Sequence, residues 1–279
     1  MRFVAPARNA VDAAAFDRPP LADWSEFASL LRDAQWPGVA ELNAAARARH
    51  AAGGAGCPCF VEQTRGLLDD GLHYEQRIAE RGAIATRTGN WHDLLNALVW
   101  LRFPQLKAAL NARQVAEIAI AGPKRRTRAQ CALTHFDEAG VVACVRDPAL
   151  LALWDEHDWP GLFRRERDAW RDGRIDAIVF GHALLEHALR TRQLLVGKAL
   201  VVLVDSGTAG TLGAGRRAAV DAVAGRIRDG ALLRDPQELR PLPLSGIPGW
   251  HADNADEAFY RSAACFRPLR AGRRYPAPV

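Results

Sequence analysis

Among its 279 residues the chain has only three lysines, one methionine and five cysteines. No two cysteines form a C-x-x-C pair, so neither a dithiol redox motif nor a zinc knuckle is written into them. Cys57-Pro-Cys59, with His50 nearby, offers at most part of a structural zinc set, which usually takes four ligands. G-x-S-x-G, H-E-x-x-H, the P-loop and G-x-G-x-x-G are all missing. Their absence removes the commonest signatures of serine hydrolases, zinc proteases and nucleotide-binding folds. The apolar runs, 97–101 and 199–204 among them, fall far short of the ~20 residues that span a bilayer. No apolar segment follows Met1 in the manner of a signal peptide. A cytoplasmic protein with reduced thiols and no membrane contact is expected.

Few lysines do not mean little positive charge. There are 34 arginines, the formal net charge is +5, and the pI is about 9.2. Arginine without lysine, in an alanine-rich chain, reads as the codon bias of a GC-rich genome. Half of the residues are apolar, and a chain this long can bury a large core without disulfides or structural metals.

Residues 1–20 hold Pro6, Pro19 and Pro20 and little periodicity, so they read as an extended N-terminal arm before a single α+β domain over 21–279. The N-terminal half is helical. Helices are expected from the Asp23 capping box to Leu31, over 39–49, and over 72–81 with Gly82 as a stop. Two more run from the Asn90 cap over 91–102 and from Pro104 to Ile120. Residues 132–136 and 141–145 flank Asp137-Glu138-Ala139-Gly140 and read as a β-hairpin. Helices follow Asp147-Pro148 and Asp158-Trp159-Pro160. Strand 175–180, helix 181–192, strand 198–204 and helix 216–229 then predict a β-α-β-α unit with a parallel strand pair. The glycine-rich stretch 205–215 lacks the Lys-Ser/Thr of a phosphate loop and reads as a connector.

Several polar residues sit where apolar ones are expected. His92 and Asn96 lie one turn apart on a helix that is apolar nearly all round, so they share a face. They line a polar cleft or satisfy carbonyls inside the core. His182 opens a helix directly after a buried strand, a place where α/β folds bind ligands, and Glu186 is one turn on. A helix N-terminus keeps a histidine neutral and able to act as base or metal ligand. His135 and Asp137, two apart on the expected strand, would share a face. Gly246-Ile247-Pro248-Gly249-Trp250-His251 is a rigid turn that presents Trp250 as a ligand wall or as a plug for the core.

The run Thr86 to Trp100 (TRTGNWHDLLNALVW) and its continuation through Phe103-Pro104, Lys107 and Asn111 resemble a bacterial family called domain of unknown function 3025. Tyr74-Glu75-Gln76-Arg77-Ile78, Phe136-Asp137-Glu138, Phe180-Gly181-His182-Ala183 and Gly246-Ile247-Pro248-Gly249-Trp250 fit the same pattern. The resemblance runs from about residue 60 to 268. It implies one continuous domain and supplies no catalytic residue.

The residues point first to an enzyme with a histidine–carboxylate cleft. His92, His182, Glu186 and Asp137 would be its catalytic groups, and His92, His182 and Glu186 a set for a divalent metal. Two histidines and a carboxylate are a common catalytic metal set, so metal-assisted hydrolysis of a small anionic substrate is the reaction expected. Arg87, Asn90, Asn96 and Trp250 would line the substrate site, with Arg87 as an anion-binding fork. Two other readings stay open. One is a nucleic-acid-binding module using 124–128 with Arg164, Arg165, Arg167 and Arg171. The other is a protein–protein adaptor built on the aromatic C-terminal segment.

Overall fold

The computed structural model describes residues 3–54, 56–122, 125–204 and 212–279. The helices are α1 (Ala28–Arg32), α2 (Val39–Ala51), α3 (Arg65–Leu68), α4 (Tyr74–Arg81), α5 (Trp91–Arg102) and α6 (Pro104–Ala121). They continue as α7 (Arg128–Ala139), α8 (Pro148–Asp155), α9 (Arg167–Arg171), α10 (His182–Ala188), α11 (Leu212–Arg228) and α12 (Glu257–Ser262). The strands are β1 (Cys59–Glu62), β2 (Ala83–Thr86), β3 (Gly140–Val145), β4 (Ile175–Val179), β5 (Val196–Leu203) and β6 (Arg240–Pro243). The fold is a mixed α+β architecture. Most of the 205–215 connector, and Lys124 of the basic loop, lie outside the described residues.

β3 is buried from end to end, as a continuous apolar run requires of a central strand. The larger sheet has the order β4-β3-β5-β6, and β1 and β2 form a separate parallel pair. β4 runs antiparallel to β3, with Val179 opposite Val141. β5 runs parallel to β3 on its other side, with Ala199 opposite Val141.

This sheet corrects two expectations. β4 and β5 are not a parallel pair. β3, apolar on both faces, lies between them, and they run in opposite directions. Nor are residues 132–136 half of a hairpin. They lie inside α7, which opens on a closed capping box: Gln130 N donates to Thr127 Oγ1, and Thr127 N donates to Gln130 Oε1. Ala129, Ala132, Leu133 and Phe136 form its buried face at helical spacing. α7 then runs straight into β3 at Gly140, where a Cβ would lie 2.2 Å from Phe136 O.

α5 is the central helix. Leu95, Leu98 and Val99 are wholly buried, and Asn90 Oδ1 caps the first turn by accepting from Asp93 N at 3.0 Å. The N-terminal segment expected as an extended arm makes short 3-10 turns at Arg8–Ala10 and Ala13–Asp17 and folds back over this end of α5. Phe16 packs on Trp91, Trp91 Nε1 donates to Pro6 O, and the Arg8 guanidinium lies over Trp36 and Trp91. Among the described residues no helix is long and apolar enough to cross a membrane.

Candidate functional site

Three helix ends meet at one place because of the antiparallel β3–β4 pairing. Phe180 N and Gly181 N both donate to Gly140 O at 2.9 Å, which sets the start of α10 against the end of α7. Gly181 makes the approach possible. A Cβ there would lie 2.4 Å from Ala139 Cα and 2.5 Å from Glu138 O. α5 packs against α10 and brings its first turn over the same point.

His92 on α5, Glu138 on α7 and His182 on α10 converge, with one ligand atom from each lying within 4.8 Å of the others. His92 Nε2 and His182 Nε2 are 3.1 Å apart, and Glu138 Oε2 is 3.4 Å from His182 Nε2. Behind them, His92 Nδ1 lies 3.1 Å from Glu186 Oε2. A carboxylate only accepts, so His92 donates from Nδ1 and its neutral form offers a lone pair at Nε2. His182 is 4% exposed; its Nδ1 has no hydrogen-bond partner among the described residues and lies 3.9 Å from Asp137 Oδ2.

The electrostatics separate the two imidazoles. The bond to Glu186, working against partial burial, raises the His92 pKa. Burial pushes His182 down to about 3, which keeps it neutral. Burial raises Glu138. Burial alone would raise Asp137 too, but the Lys107 ammonium 2.7 Å away outweighs it and holds that carboxyl below the usual range.

Lys107, itself only 4% exposed, donates to Asp137 Oδ1 at 2.7 Å and to Asn96 Oδ1 at 2.9 Å. Asn96 Nδ2 in turn donates to the Tyr74 hydroxyl at 3.0 Å. Next to Tyr74, Glu75 Oε2 accepts from Asn111 Nδ2. All these groups line one cavity of about 320 Å³ with His92, Glu138 and His182.

Of the residues singled out from the sequence, His92, His182, Glu186, Asp137 and Asn96 are brought together. Arg87 also lines the cavity, but Asp93 already holds its guanidinium through Nε and Nη2. Asn90 is spent on the α5 cap. Trp250 packs on the core and does not line the cavity. On a helix, His135 and Asp137 point to nearly opposite sides, and His135 is exposed. Sequence reasoning missed Glu138, Lys107 and Tyr74. The Thr127-x-x-Gln130 capping box was the available signal for Glu138. For Tyr74 and Lys107 there was none, because their partners are distant in sequence.

An α+β protein with a polar cavity closed at one end by two histidines and a cluster of carboxylates is the class these features define. Residues 59–270 match the family described as Protein of unknown function (DUF3025), and the chain belongs to it. No curated protein and no solved structure matches the chain.

Proposed function

We propose that the protein is an enzyme that hydrolyses an anionic substrate at a divalent metal ion held by His92, Glu138 and His182. The observation that carries this reading is the convergence of two imidazole nitrogens and a carboxylate oxygen from three helix ends. Ligand atoms at ~2.0–2.1 Å from a tetrahedral zinc lie about 3.3–3.4 Å from one another. The separations of 3.1 and 3.4 Å already approach that spacing. His92, Glu138 and His182 would hold the ion, which would act as a Lewis acid and lower the pKa of a water toward ~7.

Glu186 takes a different part from the one its sequence position suggested. It holds His92 by Nδ1, as the outer carboxylate of a carboxylate–histidine–metal chain does, and leaves the third ligand position to Glu138. Asp137, held by Lys107, lies 3.9 Å from His182 Nδ1, too far for a hydrogen bond, and supplies negative charge beside that ring.

The nucleic-acid reading draws little support. Arg128 pairs with Asp235, Arg164 with Glu257, Arg165 with Asp158 and Arg171 with Asp168, which leaves Arg125, Arg126 and Arg167 as the exposed arginines of that set without an ion pair among the described residues. The adaptor reading fares no better. Among the described residues the exposed large apolar side chains are Val4, Leu68, Ile120 and Leu203, each from a different element or segment.

The test is elemental analysis of protein made without a histidine tag. About one divalent ion per chain is expected, and it should be lost in His92→Ala, His182→Ala and Glu138→Gln. Failure to take up zinc, manganese or iron after reconstitution would overturn the metal reading and leave a metal-free Glu186–His92 acid–base pair.

A further inference from the structure

The cavity is a trough between α6 and α7. Lys107, Asn111 and Gln114 line it from α6 at helical i, i+4, i+7 spacing, and Gln130, Thr134 and Asp137 line it from α7. The helices run in opposite senses along it. Lys107 meets Asp137 at one end, and Gln114 Nε2 reaches Thr134 Oγ1 at 3.3 Å at the other. At 1.5 Å per residue, Lys107 to Gln114 spans about 10 Å. The histidine cluster marks the inner end. Arg125 and Arg126, both exposed, line the outer end, and among the described residues neither makes an ion pair.

The two ends differ in charge. Around the inner end stand Asp93, Asp137, Glu138 and Glu186, opposed among the described residues only by Lys107 and Arg87, with Glu75 a turn further out beside Asn111. Even a divalent ion leaves that end without net positive charge, so a phosphate dianion would gain little there. An uncharged carbonyl group would meet no such penalty.

The inner end nonetheless keeps donors in reserve. An ammonium has three N–H groups, and Lys107 gives two of them to Asn96 and Asp137. The Tyr74 oxygen accepts from Asn96, and its own proton has no acceptor among the described residues. One amide, Asn96, thus holds both donors in place with one proton each to give. Such fixed donors stabilise an oxygen on which charge develops.

We propose that the substrate presents an uncharged acyl group, the carbonyl of an amide or ester, to the inner end, where Tyr74 and Lys107 donate to its oxygen. A carboxylate or phosphate at its far end, about 10 Å or more away and past the Gln114–Thr134 contact, pairs with Arg125 and Arg126. The inference rests on the metal reading above and adds the class of substrate. In the reaction a water oxygen bonds to the carbonyl carbon, and one water proton passes to the Glu75 carboxylate. The carbonyl π pair becomes the oxyanion that Tyr74 and Lys107 hold. When that pair returns to carbon, the C–N or C–O bond breaks. Its electrons leave with the amine or alcohol, which takes the proton from Glu75. Asn111 holds one Glu75 oxygen, and burial raises this carboxyl toward the range of a proton carrier.

The test uses the full chain loaded with Co2+, whose visible absorption reports ligands at the metal. Acetohydroxamate, which presents an acyl oxygen and a hydroxamate oxygen together to the metal, should shift the spectrum, and inorganic phosphate at equal concentration should not. Tyr74→Phe should weaken acetohydroxamate about tenfold or more, the scale of a hydrogen bond to a charged oxygen, with Co2+ affinity unchanged. The monohydroxamate of suberic acid should bind more tightly than its methyl ester, and Arg125→Ala/Arg126→Ala, at two exposed positions, should erase that margin. Phosphate binding more tightly than hydroxamate, or an unaltered Tyr74→Phe, would overturn the inference while leaving the metal site intact. Failure to bind Co2+ would overturn both.

Discussion

His92 and His182, ninety residues apart in the chain, point their Nε2 atoms at each other across 3.1 Å. With His92 Nδ1 donating to Glu186 and His182 Nδ1 turned toward Asp137, two neutral rings would oppose lone pair to lone pair. The other neutral tautomer of His182 would leave a bare, buried Nδ1 beside a carboxylate. A proton or a metal ion between the rings removes the conflict, and a metal satisfies Glu138 as well.

Metal binding should therefore stabilise the fold. A ligand at a hundred times its Kd adds about 2.7 kcal/mol, and for a chain of this size that raises Tm by roughly 5–10 °C. Thermal unfolding with zinc or manganese should show this rise, and a chelator should reverse it. In His182→Ala the metal-dependent increment should vanish, whatever the mutation does to the metal-free protein.

Gly181 tests how the site is assembled. Any side chain there drives Cβ into the backbone of Glu138, Ala139 and Gly140, which no rotamer change can relieve. Gly181→Ala should cost about 1–3 kcal/mol in urea denaturation, the usual range for overpacking. It should also weaken metal binding, because the α7–α10 junction carries both Glu138 and His182. An alanine variant that binds metal as the wild type does would show that the close approach is incidental.

Where local chemistry decides an element, the chain announces it. Asn90 caps α5, Pro104 opens α6, and Gly82 ends α4 in the left-handed region, each as its residue type demands. His92, Asn96, His182 and Glu186 could be placed on shared helix faces for that reason. At 132–136 the turn-like Asp137-Glu138-Ala139-Gly140 competes with the 3.6-residue spacing of Ala129, Ala132, Leu133 and Phe136, and the helical spacing prevails. Read as a turn residue, Glu138 has no helix to place it beside His182; in the last turn of α7 it does. Strand order was lost for another reason. That β3 separates β4 from β5 is settled by burial of both its faces, which no local period encodes.

Asn90 was expected to meet substrate, but its side chain is the cap of α5. Asn90→Ala should lower stability by about 1 kcal/mol, the typical value for an N-cap. Arg87 still grips Asp93 through two guanidinium nitrogens, so the first turn stays in place. His92 is only two residues away, so metal affinity should fall too, but by less than about fivefold, the equivalent of that ~1 kcal/mol. Chemical denaturation and metal titration of one variant separate the two effects.

The thiols give a prediction with a definite pH sign. Burial pushes Cys144 and Cys265 from an ordinary 9.0 up to about 11. Only the thiolate alkylates, so at pH 8 roughly one in a thousand of these groups is reactive, and burial restricts access further. Cys59 is exposed and should label first. Iodoacetamide followed by mass spectrometry of the native protein should find Cys144 and Cys265 unmodified at pH 8. Their rates should then climb about tenfold per pH unit toward pH 10. The same shift bears on stability. The unfolded chain ionises these thiols first, so their contribution is complete below pH 9 and is lost as the pH rises toward 11. Rapid labelling of Cys144 in the folded protein at pH 8 would mean that β3 opens to solvent, and the sheet that sets Glu138 against His182 would not be the rigid frame described above.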